Sequence, residues 1–446
     1  MRRAAVILAA GQGTRMRSSL SKVLHAVAGR PMLDWSIALT RALGCDPVVV
    51  VGGTHNPDVN ARAAAQGCAT AVQDPPLGTG HAVLAAKDAL AGFEGDVIVL
   101  YADSPFITAA SGAALFAALD AGAAAAVLGF EPDDPGAYGR LIEGADGTLE
   151  AIVEAREATP DQLAVRLCNA GVMAARAPAF WDLLARVTNQ NAKGEYYLTD
   201  VVGLARAGGG TARAIRAAVE EVAGVNSKVE LAEAEAAFQR RMRIAAMEAG
   251  VTLVAPETVF FSWDTELAPD VHIEPNVVFG PGVRIETGAR IRAFCHLEDC
   301  IVRTGAILGP YARIRPGSDI GEDAHIGNFV ETKKAKIGKG AKANHLAYLG
   351  DVTVGAKANI GAGTITCNYD GFDKHATEIG EGAFVGSDTM LVAPVKIGKG
   401  AYTGSGSTIT KDVPDDALSV ERSDQKIIPG WAARFRERKR ATKGKP

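Results

Sequence analysis

A glycine-rich turn near the start of the chain is the first segment whose residue types could carry out chemistry. Residues 8–16 (LAAGQGTRM) end an apolar run and contain Gly11 and Gly13, and Arg15 and Lys22 add positive charge beside them. Glycines let a backbone approach a phosphate closely, and free amides at a helix start favour anions. A Gly-x-Gly sequence can also be an ordinary tight turn, but the two cations favour a phosphate site. The segment lacks the ending of a Walker P-loop and the third glycine of a dinucleotide fingerprint.

A second group of polar residues lies in the C-terminal half, among glycines and aliphatic residues. It comprises Arg313, Arg315, Lys333, His345, Tyr348, Asn359, Asn368, Tyr369 and Lys374. His345 is the candidate general base, because an imidazole with an ordinary pKa of about 6.5 can take a proton from an attacking amine. A lone histidine in a strand is more often structural, and we interpret four others in that way: His25, His55, His272 and His296.

The elements that must position the first group alternate between strands and helices. Apolar runs at 4–9, 48–51, 69–73, 96–101 and 124–130 predict strands, and helical patterns at 80–91 and 109–121 lie between them. Continuous apolar strands that alternate with helices are typical of a mainly parallel sheet covered on both faces. Ser227 and Glu230 then form a capping-box pattern, which predicts a connecting helix that ends at Gly250.

From about residue 251 a six-residue period replaces this alternation. Interior positions are predicted first at Val271, Val277, Val283, Ala289, Cys295, Ile301 and Ile307, and later at Val354, Ile360, Ile379, Val385, Leu391, Ile397, Thr403 and Ile409. One short strand and one corner in every six residues predict a three-sided coil, stacked about nine times. Glycine suits the tight corners, which explains why the chain has 50 glycines. The period breaks at 331–336 and at 367–378, where we expect loops that leave the coil.

Composition limits the class of protein. With 446 residues the chain should form two or three domains, and its net charge of −4 favours neither nucleic acid nor a membrane surface as a partner. Its six cysteines contain no CxxC pair, which indicates free thiols in a reducing compartment. No stretch approaches the roughly 20 apolar residues of a membrane span. We therefore expect a soluble cytoplasmic enzyme.

The N-terminal half resembles the sugar-phosphate nucleotidyltransferases, through LAAGQGTRM with Lys22, Gln73 followed by LGTGH (77–81), YAD (101–103), YGR (138–140) and NAG (169–171). In that family a sugar-1-phosphate oxygen attacks the α-phosphorus of a nucleoside triphosphate and pyrophosphate leaves. The resemblance implies Mg²⁺ bound by Asp103 and Asn226, with Arg15 and Lys22 stabilising phosphate charge. It also implies a substrate site formed by Leu8, Ala9, Ala10, Gly11, Lys22, Gln73, Gly78, Thr79, Tyr101, Asp103, Gly139, Glu154, Asn169 and Asn226.

Simpler explanations exist for single members of this set. Asp103 could be a helix N-cap, and Asn226 a cap or turn residue. The sequence also departs from the family pattern, with Ala102 in place of glycine, Ser104 in place of an aliphatic residue and Ala170 in place of threonine. None of these changes removes a charge or a proposed metal ligand.

The C-terminal half resembles the hexapeptide-repeat acyltransferases. With the first half attached, it is similar to the family of bifunctional N-acetylglucosamine-1-phosphate uridyltransferases/glucosamine-1-phosphate acetyltransferases. The stretches that carry the resemblance are GPYARIRPG (309–317), IGNFVETKKAKIGKGAKANHLAYLGD (326–351), NIGAGTITCNYDG (359–371) and FVGSDTMLVAPVKIGKGA (384–401). The implied fold is a Rossmann-like α/β domain followed by a left-handed parallel β-helix. The expected assembly is a homotrimer.

This resemblance also implies roles for individual residues. Arg315, Lys333, Tyr348 and Asn359 would bind the amino-sugar phosphate, with His345 as the base. The acetyl-coenzyme A path would be lined by Ala362, Asn368, Tyr369, Ser387, Ser405 and Arg422. Ser405 stands where alanine is common, and Thr332 and Ala347 also differ from the family pattern. The small-molecule substrates would be glucosamine-1-phosphate, acetyl-coenzyme A and UTP.

These patterns divide the chain into a nucleotidyltransferase domain (1–226), a helical linker (227–250) and a β-helix acetyltransferase domain (251–446) with a basic tail at 434–446. The tail could be a disordered end, or it could reach the coenzyme A phosphates of a neighbouring subunit. Two other functions stay open at this point. The β-helix could be only an oligomerisation platform for a single pyrophosphorylase, or the whole chain could be a non-catalytic scaffold.

Overall fold

The computed structural model describes residues 1–443. The chain divides into two compact units, Met1–Met242 and a second that begins at Arg243. The division falls inside a long helix, within the segment that we assigned to a linker. The boundaries at 226 and 250 therefore stay a prediction.

The first unit contains a mixed sheet. Its strands are β1 Arg3–Leu8, β4 Val48–Gly53, β5 Ala69–Gln73, β6 Gly95–Tyr101, β7 Ala125–Phe130, β8 Arg140–Glu143, β9 Leu149–Val153, β10 Cys168–Ala177 and β11 Ala212–Arg216; β2 Ala26–Val27 and β3 Arg30–Pro31 form a separate ribbon. The main order is β11-β7-β10-β6-β1-β4-β5, with β8 paired to β10 and β9 to β8. Strand β10 runs antiparallel to β6 and β7, whereas β1 is parallel to β4 and β6. The five strands predicted from the sequence all run parallel to one another, but β8, β9 and β10 add antiparallel pairings, so the sheet is mixed and not mainly parallel.

Both faces of this sheet are covered. Along β1, Ala4, Val6 and Leu8 belong to one buried cluster, and Ala5 and Ile7 belong to another. Alternate side chains of a strand point to opposite faces, so the two clusters are two hydrophobic cores. The helices of the unit are α1 Met32–Ala42, α2 Pro57–Ala65, α3 Thr79–Ala85, α4 Ala109–Asp120, α5 Pro160–Leu163, α6 Ala179–Leu184, α7 Asp200–Ala207 and α8 Val219–Val222. Short 3₁₀ turns occur at Thr14–Met16, Lys22–Leu24 and Asp88–Leu90.

The connecting helix, α9, spans Lys228–Glu248. The Glu230 N–H donates to Ser227 Oγ at 3.2 Å, as a capping box requires. The Glu230 carboxylate, however, accepts from the N–H of Asn226 at 2.5 Å rather than from that of Ser227. Gly250 follows the helix with a left-handed φ of +94°, as predicted.

The second unit is a three-faced parallel β-helix. Face 1 comprises Thr252–Leu253, His272–Ile273, Arg290–Ile291, Ile307–Leu308, His325–Asn328, Lys342–His345, Asn359–Ile360, Phe384–Val385, Tyr402–Thr403 and Leu418–Ser419. Face 2 comprises Glu266–Leu267, Val283–Ile285, Cys300–Val302, Ser318–Ile320, Lys336–Ile337, Val352–Val354, Thr377–Ile379 and Val395–Ile397. Face 3 comprises Val278–Phe279, His296–Leu297, Arg313–Ile314, Glu331–Lys333, Tyr348–Gly350, Ile365–Cys367, Met390–Val392 and Thr408–Ile409. A 3₁₀ turn occurs at Pro256–Thr258, and α10 spans Trp431–Lys443.

Two details of the predicted period are wrong. Ile301 and Ile307 are only partly buried, and the preceding residues Cys300 and Ala306 take their predicted interior positions. The coil is one residue shorter here, since Arg290 pairs with Ile307 whereas His272 pairs with Arg290. The predicted loop at 331–336 is also absent, because Glu331–Lys333 is a regular face 3 strand.

The second predicted interruption is confirmed. Between Ile365–Cys367 and Thr377–Ile379 the chain leaves the coil, and an isolated bridge joins Tyr369 to Lys374. The prediction that the basic tail is disordered is wrong for residues 434–443, which lie in the helix α10. Residues 444–446 of the predicted tail lie outside the described residues. Among the described residues, no helix has the length and apolar content needed to cross a membrane.

Candidate active sites in the two units

A cavity of about 430 Å³ lies where strands of the first unit end. Ten of the predicted substrate-site residues line it: Leu8, Ala9, Ala10, Gly11, Lys22, Gln73, Gly78, Thr79, Tyr101 and Asp103. Leu8 and Tyr101 are the last residues of adjacent parallel strands and pair directly, so their carboxyl ends meet at one edge. This is the edge at which open α/β sheets bind ligands. The cavity is also lined by Gln12, Val23, Pro76, Ala82 and Glu195, which were not predicted.

One wall of this cavity is held by side-chain contacts to backbone. The Gln73 amide donates to the Gly78 carbonyl at 2.9 Å and lies 3.2 Å from the His81 ring. Thr79 Oγ1 accepts from the Leu198 N–H at 3.0 Å. Gln73 is buried, and these contacts therefore set the direction of its remaining amide oxygen.

Lys22 joins the two predicted metal ligands. Its ammonium group forms an ion pair with the Asp103 carboxylate and donates to the Asn226 side-chain oxygen at 3.1 Å. The Val225 N–H also donates to the Asp103 carbonyl at 2.9 Å, which holds the Asn226 segment beside the end of β6. Two oxygen ligands of the kind that Mg²⁺ accepts thus converge on one cationic group.

Gly139 and Asn169 of the predicted substrate site are joined to each other by a backbone hydrogen bond. The Asn169 N–H donates to the Gly139 carbonyl at 2.8 Å, and the Asn169 side chain accepts from the Gly171 N–H at 2.9 Å. A side chain at Gly171 would come within 2.8 Å of the Tyr101 ring, which explains the small residue there. Burial raises the pKa of the Glu154 carboxyl and of the Tyr101 hydroxyl. Gly139, Glu154 and Asn169 lie outside the described lining of the cavity.

Arg15 stands apart from this arrangement. It is exposed in the 3₁₀ turn Thr14–Met16 and does not line the cavity. No ion pair of Arg15 occurs among residues 1–443. The structure therefore does not bring Arg15 together with Lys22 and Asp103, although both predicted cations lie on turns that follow β1.

In the second unit, His345 and Tyr348 flank one corner of the coil. His345 ends a face 1 strand and Tyr348 begins the following face 3 strand, with Leu346 in a left-handed conformation between them. His345 is exposed, and its Nδ1 lies 2.8 Å from Asn328 Oδ1 on the preceding coil. Because Asn328 can accept from Nδ1–H, Nε2 can be the proton acceptor. Asn328 was not predicted, since the pairing becomes visible only in the register of successive coils.

The cationic residues of face 3 surround the carboxylate of Glu331, which was not predicted. Arg315 donates to Glu331 at 2.7 Å, and Arg313 lies 3.7 Å from the same carboxylate. Lys333 lies on the same strand as Glu331, one coil after Arg315. The nearby Lys374 ammonium lowers the pKa of Lys333. Lys374 reaches this place from the loop between Cys367 and Thr377. The arrangement concentrates positive charge where an anion could bind.

The same loop carries two residues predicted to contact acetyl-coenzyme A. The Asn368 amide donates to the Asp351 carboxylate at 2.5 Å, and the Tyr369 hydroxyl donates to the Gly371 carbonyl at 2.6 Å. Asn368 is buried, whereas Tyr369 is 60% exposed. The side chain of Asn368 therefore anchors the loop to the coil, and Tyr369 remains available to a ligand.

The other predicted acetyl-coenzyme A residues follow one corner of the β-helix. Backbone bonds run from the Asp388 N–H to the Ala362 carbonyl at 2.6 Å and from the Gly406 N–H to the Ser387 carbonyl at 2.8 Å. The Arg422 guanidinium donates to the Ser405 carbonyl at 2.7 Å. By the face 1 register, Ala362, Ser387 and Ser405 continue the column that contains Asn328 and His345. Asn359 lies on face 1 of the coil that follows His345.

Comparisons with known proteins agree with this division. A family model described as a MobA-like NTP transferase domain matches residues 5–158. The model of the bacterial transferase hexapeptide (six repeats) matches residues 376–411. These matches confirm the predicted fold class, a nucleotidyltransferase domain followed by a hexapeptide-repeat β-helix.

Curated relatives match the chain over almost its whole length. A protein named "Bifunctional protein GlmU" from Hyphomonas neptunium is 61% identical, covering 99% of this chain and 96% of that protein. Proteins of the same name from Azorhizobium caulinodans and Paramagnetospirillum magneticum are 57% and 55% identical, each covering 99% of this chain and 98% of the relative. The chain belongs to the GlmU family. This result confirms the family predicted from the sequence motifs, and a bifunctional GlmU protein is not a single pyrophosphorylase with a passive platform.

Proposed function

We propose that this GlmU-family chain catalyses two consecutive reactions in the synthesis of a UDP-sugar. In the second unit, glucosamine-1-phosphate receives the acetyl group of acetyl-coenzyme A. In the first unit, N-acetylglucosamine-1-phosphate attacks the α-phosphorus of UTP, and UDP-N-acetylglucosamine and pyrophosphate form. The observation that carries the proposal is that each unit of a bifunctional family member holds its own cluster of polar and charged side chains.

For uridylyl transfer, the chain's main tasks are positioning and charge neutralisation. The cavity supports this assignment because its polar lining lies at the ends of adjacent parallel strands. Gln73 can bind a base edge with its free amide oxygen, and Lys22 can bind a phosphate oxygen. Glu154, Asn169 and Gly139 would bind the sugar. Arg15, on an exposed turn, would have to move toward the phosphates in order to act on them.

Asp103 and Asn226 fit a Mg²⁺ ion, because both present oxygens to the one position where the Lys22 ammonium now lies. When bound, the ion neutralises charge on the reacting phosphates. The helix N-terminal segment supports Asn226, whose backbone N–H is held by the Glu230 carboxylate. No cluster of three or more histidine, cysteine, aspartate or glutamate residues that could hold a metal occurs among the described residues. The ion would therefore retain water or substrate oxygens as its other ligands.

For acetyl transfer, His345 would accept a proton from the amine as it attacks the thioester carbonyl. The carbon–nitrogen bond forms, the carbon–sulfur bond breaks, and coenzyme A leaves as the thiol. Asn328 would orient the imidazole through Nδ1, while Arg315 and Lys333 hold the sugar phosphate. Tyr348 and Asn359 would contact the sugar, and the column of Ala362, Ser387 and Ser405 would carry the coenzyme toward Arg422.

The assembly and the location belong to the same proposal. We infer a homotrimer, because hexapeptide-repeat proteins commonly form one and because an exposed apolar column runs beside His345: Phe294, Tyr311, Phe329 and Leu346. Location in the cytoplasm agrees with the six cysteines, which are free thiols. The domain limits 1–226, 227–250 and 251–446 are proposed as functional divisions within the two units.

The first test is separability of the two reactions. Asp103→Asn and Asn226→Ala should each lower uridylyl transfer severely, because each removes a proposed metal ligand, and both should leave acetylation nearly unchanged. Both activities are measured on each purified full-length variant, by pyrophosphate release and by thiol release from acetyl-coenzyme A. Equal loss of the two activities in a folded variant would contradict the assignment of one reaction to each unit.

A further inference from the structure

The position of Lys22 between Asp103 and Asn226 has a consequence for the order in which ligands bind. Its ammonium contacts both oxygens, and its side chain is only 12% exposed, against 19% for Asp103. Among the residues that line the described cavity, Lys22 is the one cation, beside the carboxylates of Asp103 and Glu195. The charge of Asp103 is therefore neutralised from within the chain.

The base of the Lys22 side chain is held against the phosphate-binding turn. A Cβ placed on Gly13, which has a left-handed φ of +61°, would come within 2.7 Å of Lys22 Cβ. The Lys22 stem therefore lies directly over the turn that we assign to phosphate. Since Lys22 belongs to the short 3₁₀ turn Lys22–Leu24, rotation about its side-chain bonds can move the ammonium without moving the backbone.

We propose that the Lys22 ammonium occupies the metal position in the nucleotide-free enzyme, so that a divalent cation binds there tightly only when Lys22 moves to a phosphate. This inference rests on the proposed roles of Asp103 and Asn226. A dication and an ammonium cannot share the position, because they compete for the same carboxylate and repel each other. A triphosphate supplies the anionic partner that Lys22 needs when it leaves Asp103.

This replacement of the Lys22 ammonium by a divalent cation, called the exchange below, couples metal binding to nucleotide binding. A free divalent cation must displace Lys22 without a new partner for the ammonium, and it should bind weakly. With UTP present, Lys22 is drawn to the phosphates and Asp103 is released, so that the affinity for the cation rises. Linkage requires the converse as well, namely that the cation strengthens the binding of UTP. The nucleotide and the metal would thus enter as a unit.

The test measures binding of Mn²⁺ to the full-length chain in the absence of substrates, by the electron paramagnetic resonance signal of free Mn²⁺. Lys22→Gln removes the competing charge and keeps similar side-chain length. It should bind Mn²⁺ about tenfold more tightly than the wild type. This factor corresponds to a difference of about 1.4 kcal/mol in the free energy of Mn²⁺ binding. Lys22→Arg retains the cation and should bind as weakly as the wild type. Heat denaturation provides a second readout, since Mn²⁺ should raise the Tm of Lys22→Gln more than that of Lys22→Arg.

Asp103→Asn, introduced into the wild type and into Lys22→Gln, distinguishes the proposed displacement of Lys22 from the proposed metal site. If Lys22→Gln binds Mn²⁺ no more tightly than the wild type, while Asp103→Asn abolishes binding, the exchange is wrong and the metal site stands. If Asp103→Asn leaves Mn²⁺ binding unchanged in the Lys22→Gln background, even with UTP present, the proposed metal site itself is wrong. Tighter binding in Lys22→Gln that is lost on addition of Asp103→Asn supports both.

Discussion

At the scale of single residues, His345 carries the most specific chemical assignment. Its ring is exposed and held through Nδ1 by Asn328, and in the proposed reaction Nε2 would face the substrate amine. His345→Ala should lower kcat for acetylation by roughly 10²–10⁴, the usual effect of removing a general base, with a much smaller rise in KM. A folded His345→Ala variant with near-normal kcat would contradict the assignment.

His25 gives a pH-dependent prediction that belongs to stability and not to catalysis. It is buried, its Nδ1 lies 3.1 Å from the Lys228 ammonium, and burial and the Lys228 charge lower its pKa. The folded state therefore holds His25 neutral, and the unfolded chain binds the extra proton below its ordinary pKa of about 6.5. The free energy of unfolding should fall as the pH drops from about 6.5 toward the lowered value.

The stability prediction is checked with His25→Gln, which cannot take up that proton. Hydrogen exchange of the amides of β1 and β6, followed in urea at pH 7.5 and 5.5, reports the stability of the first unit. The wild type should lose more stability between these pH values than His25→Gln does. An identical loss in the two proteins would show that the charge state of His25 does not matter to folding.

Which site residues could be found from sequence depended on how far apart their partners lie. Gln73 and Tyr101 end predicted strands and Asp103 closely follows one, and the edge they share could be inferred from the order of elements. The contact of Asn328 with His345 could not, because it requires the register of two coils. Arg15 shows the opposite case, since a motif residue close in sequence to the phosphate turn lies outside the cavity.

At the scale of elements, the strands of the β-helix depend on close approach of successive backbones. A Cβ on Gly327 would overlap the carbonyl of Asn344 on the next coil. Gly327→Ala should therefore destabilise the second unit by about 1–3 kcal/mol, the usual cost of overpacking. Acetylation should fall as well, because Gly327 precedes Asn328 and Asn344 precedes His345, whereas uridylyl transfer should be retained.

Gly382→Asn is the matched control. Gly382 has a left-handed φ of +67° but open space around its Cβ, and asparagine tolerates that conformation. Differential scanning calorimetry should show a lowered transition for Gly327→Ala and little change for Gly382→Asn. Equal effects of the two substitutions would mean that the close approach of Gly327 to Asn344 does not determine the stability of this part of the β-helix.

Variation in coil length explains why the six-residue period predicted only part of the β-helix correctly. A coil of 17 rather than 18 residues, such as Val283 to Cys300, moves the interior position from Ile301 to Cys300 without removing any strand. The same shortening made 331–336 resemble an interruption. The loop after Cys367 could be predicted, because there the number of inserted residues is too large for a change in coil length.

At the scale of the whole molecule, the exposed apolar column beside His345 supports the proposed homotrimer. The rings of Phe294, Tyr311 and Phe329 stack at 4.8 and 5.2 Å, and Phe329 is 55% exposed. Burial against a second copy would remove this surface from water. The full-length chain should sediment as a trimer, and Phe329→Ser should shift it toward smaller species. A stable wild-type monomer at micromolar concentration would exclude the trimer.

The central claim, two separate active sites in series, is tested most directly by mixing two single-site variants. Full-length Asp103→Asn and His345→Ala are incubated alone and together with glucosamine-1-phosphate, acetyl-coenzyme A and UTP, and UDP-N-acetylglucosamine is measured by chromatography. Each variant alone should form almost none, since each lacks one reaction. The mixture should form it readily, because the acetylated intermediate can pass through solution from one protein to the other. A mixture as inactive as its components, although both variants are folded, would contradict the account.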